Sequence, residues 1–89
     1  MRKHFVYLIA TKSHKKYVTY VGYSTDVKKR LLLHNLSKGA KFTRGRKWFL
    51  VFTNIYDNRR IALKEEYKLK KNYLKRKKLL KDFFKNNKI

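Results

Sequence analysis

From Phe5 to Thr11 the chain runs Phe-Val-Tyr-Leu-Ile-Ala-Thr, an unbroken series of apolar, aromatic and β-branched residues. A run this short, closed by polar residues, predicts a buried strand. Lys12 to Lys16 reads as a polar turn, and Tyr17 to Tyr23 alternates enough to return as the second arm of a hairpin. Ser24-Thr25-Asp26 then offers side-chain oxygens to the free N–H groups of a helix start. That helix is expected from Val27 to about Ser37, with Gly39 as a left-handed stop. A basic loop over 38–46 leads to a third strand, Trp48 to Tyr56. Asp57-Asn58 caps a second helix, Arg59 to Lys71, and Asn72 breaks the chain before a third, Leu74 to Lys85. In that last helix Leu79, Leu80, Phe83 and Phe84 form one apolar face. The order β-β-α-β-α-α implies an α+β fold, a small three-stranded antiparallel sheet flanked by helices. No repeat, low-complexity linker or proline interrupts it, so residues 1–89 are expected to form a single domain.

Charge changes the picture from fold to partner. Lys and Arg number 26 against 5 Asp and Glu, a formal net charge of +21. The basic residues run the whole length, and 16% aromatic content is too high for a disordered basic tail. The cations therefore belong to a folded surface suited to a polyanion, nucleic acid above all. AT-rich coding DNA would also raise Lys, Asn, Ile, Tyr and Phe, but drift alone rarely removes acids so thoroughly. The chain has no cysteine, which excludes disulfide, zinc–thiolate and thiol chemistry. The run from Phe5 to Ala10 is too short for a signal peptide, and no stretch approaches a membrane span. A soluble, cytoplasmic protein is the expectation.

Three local patterns could carry chemistry, and each has an ordinary explanation. Tyr7 and Tyr20 stand on strands expected to pair, where tyrosine is common packing. Arg30 and His34 are spaced i, i+4, so they leave one helix face at the edge of the buried stripe; an arginine there is commonly a surface residue. Glu65 and Glu66 are adjacent acids in a basic field. On a 3.6 period Glu66 falls with Ala62, Leu69 and Tyr73, toward the sheet, but periodicity does not choose cleanly between the two. Helix ion pairs, Glu66 with Lys70 or Glu65 with Lys68, would explain both acids at about 0.2–0.5 kcal/mol each.

Taken in order, these blocks resemble the GIY-YIG nuclease superfamily, in its small single-domain branch. Phe5-Val6-Tyr7 and Tyr20-Val21-Gly22 resemble its paired signature. Ser24 to Leu31, followed by His34-Asn35, is similar to its first helix, with an arginine and a histidine one turn on. Lys38-Gly39-Ala40-Lys41-Phe42-Thr43-Arg44-Gly45 looks like its loop. Ala62-Leu63-Lys64-Glu65-Glu66 is similar to the segment bearing its metal-binding glutamate, and the spacing after Ala-Leu selects Glu66 over Glu65. The likeness extends from Phe5 to about Lys71. Departures are Phe5 where the signature has glycine, Phe42 where the loop has tyrosine, and a hairpin turn that looks slightly long.

The resemblance implies a divalent-metal-dependent endonuclease hydrolysing DNA, with branched or damaged structures and repair or recombination as its setting. Glu66 would hold Mg²⁺ or Mn²⁺, and Arg30 would brace the transition state with a bidentate fork. Tyr7 or Tyr20 would orient or deprotonate water beside His34, the basic surroundings and metal favouring a phenolate. Gly22 would allow close backbone approach. Lys38, Lys41, Arg44 and Arg46 would grip the substrate backbone. RNA is left open as a substrate, and so small a domain would take site selection from a protein partner. The competing class is a nucleic-acid-binding module on the same fold whose catalysis has lapsed. A membrane-surface role for the basic, amphipathic segment 74–84 is the third; packing of its apolar face against the domain is the simpler account.

Overall fold

The computed structural model describes residues 3–87. Three strands, β1 (His4–Ser13), β2 (Lys16–Ser24) and β3 (Phe49–Tyr56), form one antiparallel sheet in the order β2-β1-β3. Around it lie α1 (Val27–Asn35), α2 (Arg59–Lys71) and α3 (Tyr73–Asn86). The central strand is paired on both edges and covered on both faces, which explains why its sequence is apolar without alternating. Side chains still alternate in direction along it. Val6 and Leu8 join Val21, Ala62 and Leu69 under α2, with Leu79 of α3 against them. Tyr7 and Ile9 join Trp48 on the other face, with Val27 and Leu31 of α1 beside them. Tyr7 and Tyr20 thereby share the α1 face.

The expected caps form as side-chain chemistry dictates. Asp26 accepts from the Lys29 N–H at 3.1 Å and starts α1. Asn58 accepts from the Arg60 and Ile61 N–H groups and starts α2. Asn72 closes α2 and opens α3, accepting from the Lys75 N–H at 3.0 Å. Asp57 pairs instead with Lys3 at 2.9 Å.

Three expectations need correction. The hairpin turn is short, not long: Ser13 pairs with Lys16, leaving His14 and Lys15 as a two-residue loop. His14 adopts φ 58, a left-handed conformation in which the sequence carries no glycine to signal it. Helix α1 ends two residues early, at Asn35, and the left-handed position is Ser37 at φ 60 rather than Gly39. The Lys38 N–H bonds to the Leu33 carbonyl at 2.8 Å and the Ser37 N–H to His34 at 3.1 Å. That pair of bonds is the Schellman closure, here built on serine. Tyr73, placed by period with Ala62 and Leu69, is 63% exposed. The break at Asn72 resets the helix direction, so the inward stripe of α2 does not continue to it. In α3, Phe83 stacks on Phe49 with centroids 5.4 Å apart and Leu79 packs into the core. Its apolar face is used against the domain. No described helix is long and apolar enough to cross a membrane.

Candidate active site

Tyr7 is 1% exposed and His34 fully buried, and the two meet: the phenol oxygen lies 2.8 Å from His34 Nε2. Strand β1 places the phenol and one turn of α1 places the imidazole. On its other side His34 Nδ1 lies 2.8 Å from Thr43 Oγ1, in a short 3₁₀ turn (Lys41–Thr43) of the loop between α1 and β3. Thr43 Oγ1 in turn donates to the Ala40 carbonyl at 2.8 Å. A hydroxyl has one proton. Since Thr43 gives its proton to Ala40, it must accept from His34 Nδ1–H. That leaves Nε2 as the acceptor for the Tyr7 O–H, and the chain has one direction, Tyr7 to His34 to Thr43 to Ala40.

The ionisation behaviour fits that order. Burial pushes the Tyr7 phenol up to about 12, and the Tyr20 and Glu66 charges push the same way, while the Arg30 guanidinium beside it pulls down. Burial, then Arg30, holds His34 below its ordinary 6.5, so it stays neutral and able to accept a proton. The expected phenolate called on metal as well as arginine and the basic surroundings; in the chain alone the Tyr7 phenol is held protonated. Desolvation outweighs the arginine.

The other four candidate residues bear on the Tyr7 phenol in different ways: His34 by a hydrogen bond, Arg30 by a hydrogen bond and its charge, Tyr20 and Glu66 through charge alone. Tyr20 is half-buried, its ring 5.2 Å from that of His34, and it is the more accessible of the two phenols. Of the two acids, Glu66 is the more enclosed, its side chain 16% exposed against 35% for Glu65. Each nonetheless makes the ordinary helix pair, Glu66 with Lys70 at 3.5 Å and Glu65 with Lys68 at 3.2 Å. Among the described residues no group of three or more His, Cys, Asp and Glu side chains could hold a metal ion.

The glycines serve this cluster by being small. A Cβ on Gly22 would lie 2.2 Å from both Cζ and Oη of Tyr7, its cross-strand partner. A Cβ on Gly39 would lie 2.5 Å from His34 Nδ1, so Gly39 is needed for space and not for its backbone angle. Thr43 and Trp48 are the residues the sequence reading missed as individuals. Thr43 is fully buried, and the Trp48 indole N–H donates to its carbonyl at 2.9 Å. Asn35 clamps the Trp48 backbone from both sides, accepting at 2.6 Å and donating at 3.1 Å. A buried threonine inside a basic loop was the available signal.

Lys38, Lys41 and Arg44 stand exposed on the loop so anchored. Arg46 is half-buried over the Phe42 ring at 5.3 Å, and its Nη1 is buried without a hydrogen-bond partner. Phe42, 52% exposed, stacks on Tyr20 at 6.1 Å and 19°.

The family profile of the GIY-YIG catalytic domain matches residues 3–79. The chain belongs to the GIY-YIG family. Its relatives include the UPF0213 protein SSP2268 of Staphylococcus saprophyticus, 38% identical over 71 residues that cover 79% of this chain and 83% of the relative. A UPF0213 protein of Staphylococcus aureus is 39% identical over 80 residues, 89% of this chain and 93% of the relative. The solution NMR structure of the UPF0213 protein BH0048 from Bacillus halodurans is 36% identical, covers 89% of this chain and 83% of its own, and superposes with a TM-score of 0.48. In this GIY-YIG domain the Tyr7, Tyr20, Arg30, His34 and Glu66 positions come from β1, β2, α1 and α2, four elements brought to one phenol.

Proposed function

We propose that this GIY-YIG domain binds nucleic acid through its phosphate backbone, and that the Tyr7 cluster is where a bound phosphodiester is hydrolysed. Binding is the broader claim. A charge of +21 and four cations on the anchored loop, one with an unpartnered buried guanidinium nitrogen, support it. For hydrolysis, the carrying observation is that His34 and Arg30 bond to the Tyr7 phenol while Tyr20 and Glu66 act on it through charge. Tyr7 donates to His34 Nε2, so proton removal from the phenol has a neutral acceptor already in hydrogen-bond contact. Arg30 is held beside that phenol, where its fork can take two oxygens of a pentacoordinate phosphate. Tyr20, more accessible, is placed to meet substrate first.

A divalent ion suits the donor set on one condition. Glu66 is a single enclosed carboxylate that already draws one cation, Lys70. Mg²⁺ keeps several waters and takes its other oxygens from phosphate, so one carboxylate suffices once substrate is bound. When bound there, the ion would supply Lewis-acid polarisation of the phosphate and help for the leaving oxygen. The residues therefore imply metal binding that depends on DNA. A protein partner would supply choice of site.

A second reading has observations of its own: a binding module whose catalysis has lapsed. The Glu66–Lys70 pair, the raised Tyr7 phenol and the lack of a metal-holding cluster among the described residues all suit it. For the chain alone it asks less of the site. The two readings part in a cleavage assay on linear, nicked, flapped and four-way DNA with Mg²⁺ or Mn²⁺, run beside anisotropy binding. Hydrolysis predicts that Glu66→Ala and Arg30→Ala bind DNA but do not cut it, with Glu65→Ala as the active neighbour control. Binding by wild type with no cleavage of any substrate selects the module.

A further inference from the structure

A groove opens beside the cluster, with Phe42 of the basic loop on its wall. Its first part, about 280 Å³, is lined by Tyr20, Phe42, Lys70 and Arg76 among others; its second, about 400 Å³, by Tyr17, Tyr73, Arg76 and Lys77 among others. Thr19 and Arg76 line both, so β2 and α3 form one continuous track leading away from Tyr20. No acidic residue lines either part, while Lys16, Lys70, Arg76 and Lys77 do.

Aromatic rings alternate with these cations and face water. Phe42 is 52% exposed and Tyr73 63%, and neither is needed to close the core. The Arg76 guanidinium lies 5.8 Å from the Tyr73 centroid and donates to the Leu69 carbonyl, which fixes the start of α3 against the end of α2. Exposed rings with cations between them are what an unpaired strand uses: bases stack on the rings, and phosphates meet the cations. A duplex offers no free base faces. A lipid surface would call for a continuous free apolar helix face, and in α3 Phe83 stacks on Phe49 and Leu79 packs against the core.

We propose that the β2–α3 groove seats a single-stranded segment of nucleic acid adjoining the phosphodiester held at the Tyr7 cluster. This rests on the nucleic-acid-binding reading but not on cleavage. It implies a substrate with an unpaired tail or arm, the strand entering past Phe42 and Tyr20 and running toward Tyr73 and Lys77.

Anisotropy titrations of the full chain test it, with labelled blunt duplex, the same duplex bearing a single-stranded tail, and the tail alone. Wild type is expected to bind the tailed duplex about tenfold more tightly than the blunt one, the scale of stacking one base. Tyr73→Ala and Lys77→Glu, both at exposed positions, should each lose at least fivefold on the tailed duplex and less than twofold on the blunt one. Tyr73→Phe should retain the preference, which excludes a general loss of folding. Equal weakening on both duplexes, no tail preference in wild type, or equal displacement of the tail by polyglutamate or by anionic vesicles would overturn the groove assignment while leaving loop binding intact. Absence of binding to every nucleic acid would overturn the groove and the proposed function together.

Discussion

Gly22→Ala adds one carbon where the site has no room. The new Cβ would stand 2.2 Å from Tyr7 Cζ and Oη and 2.8 Å from Cε2. Carbon contacts settle at about 3.5–4.0 Å, so the ring must move by roughly an ångström or more. It cannot swing into solvent, being 1% exposed and bonded to His34 at 2.8 Å. Overpacking of this kind costs about 1–3 kcal/mol. Parting the buried phenol from His34 adds on the order of 1–3 kcal/mol. The expected loss is about 3 kcal/mol, or roughly 15 °C in Tm for a domain of this size. Urea unfolding of four proteins isolates the cause: wild type, Gly22→Ala, Tyr7→Ala and the double variant. With the ring gone, the added methyl has space, so Gly22→Ala should cost less than about 0.5 kcal/mol in the Tyr7→Ala background. The coupling is then about 2–3 kcal/mol, within the range for touching residues. A Gly22→Ala protein as stable as wild type would refute the reasoning. Equal costs in both backgrounds would do the same.

The same geometry yields further expectations. Thr43→Val keeps the shape and the backbone N–H bond to the Ala40 carbonyl but leaves the buried His34 Nδ1–H unpaired; it should lose about 1–3 kcal/mol by urea melts and slow any cleavage, with Thr43→Ser restoring both. His34 is held below 6.5, so in acid the unfolded chain takes up its proton first. Stability from this residue is present above about pH 6.5 and lost as pH falls through the lower folded value, a slope that His34→Gln should flatten in melts from pH 8 to 4. His14 is left-handed in a two-residue turn, and His14→Gly should raise stability by about 0.5–1 kcal/mol, read from thermal denaturation.

What could be read from the sequence was mostly local. Asp26, Asn58 and Asn72 each carry a side-chain oxygen that satisfies a helix start, so the starts were legible, and α2 keeps its expected bounds. The apolar run of β1 told of burial on two faces but not of which strand lies on which side. Gly39 misled by being read for its backbone freedom. At Gly39 the demand is room for His34, whereas the left-handed residues are Ser37 and His14, neither a residue type that announces the conformation. Tyr73 misled by periodicity, which cannot pass through a helix break. In the candidate site, the five residues stood out only through their order in a family likeness. Spacing within α1 pairs Arg30 with His34, but nothing local says that Tyr7 from β1 will bond to that histidine. Thr43 was hidden for the same reason: its partners are nine residues back and three residues back, and only the folded loop brings them to one hydroxyl. The raised Tyr7 phenol was not legible because composition counts charge but not burial.

The account stands most directly on a single-turnover cleavage rate at saturating DNA with Mg²⁺, compared between wild type and Glu66→Gln. Glutamine keeps the size and removes the charge, so stability and DNA affinity should change little while the rate falls at least about 100-fold. Wild-type cleavage undiminished in Glu66→Gln would contradict the assignment of Glu66 and the hydrolytic site built around it.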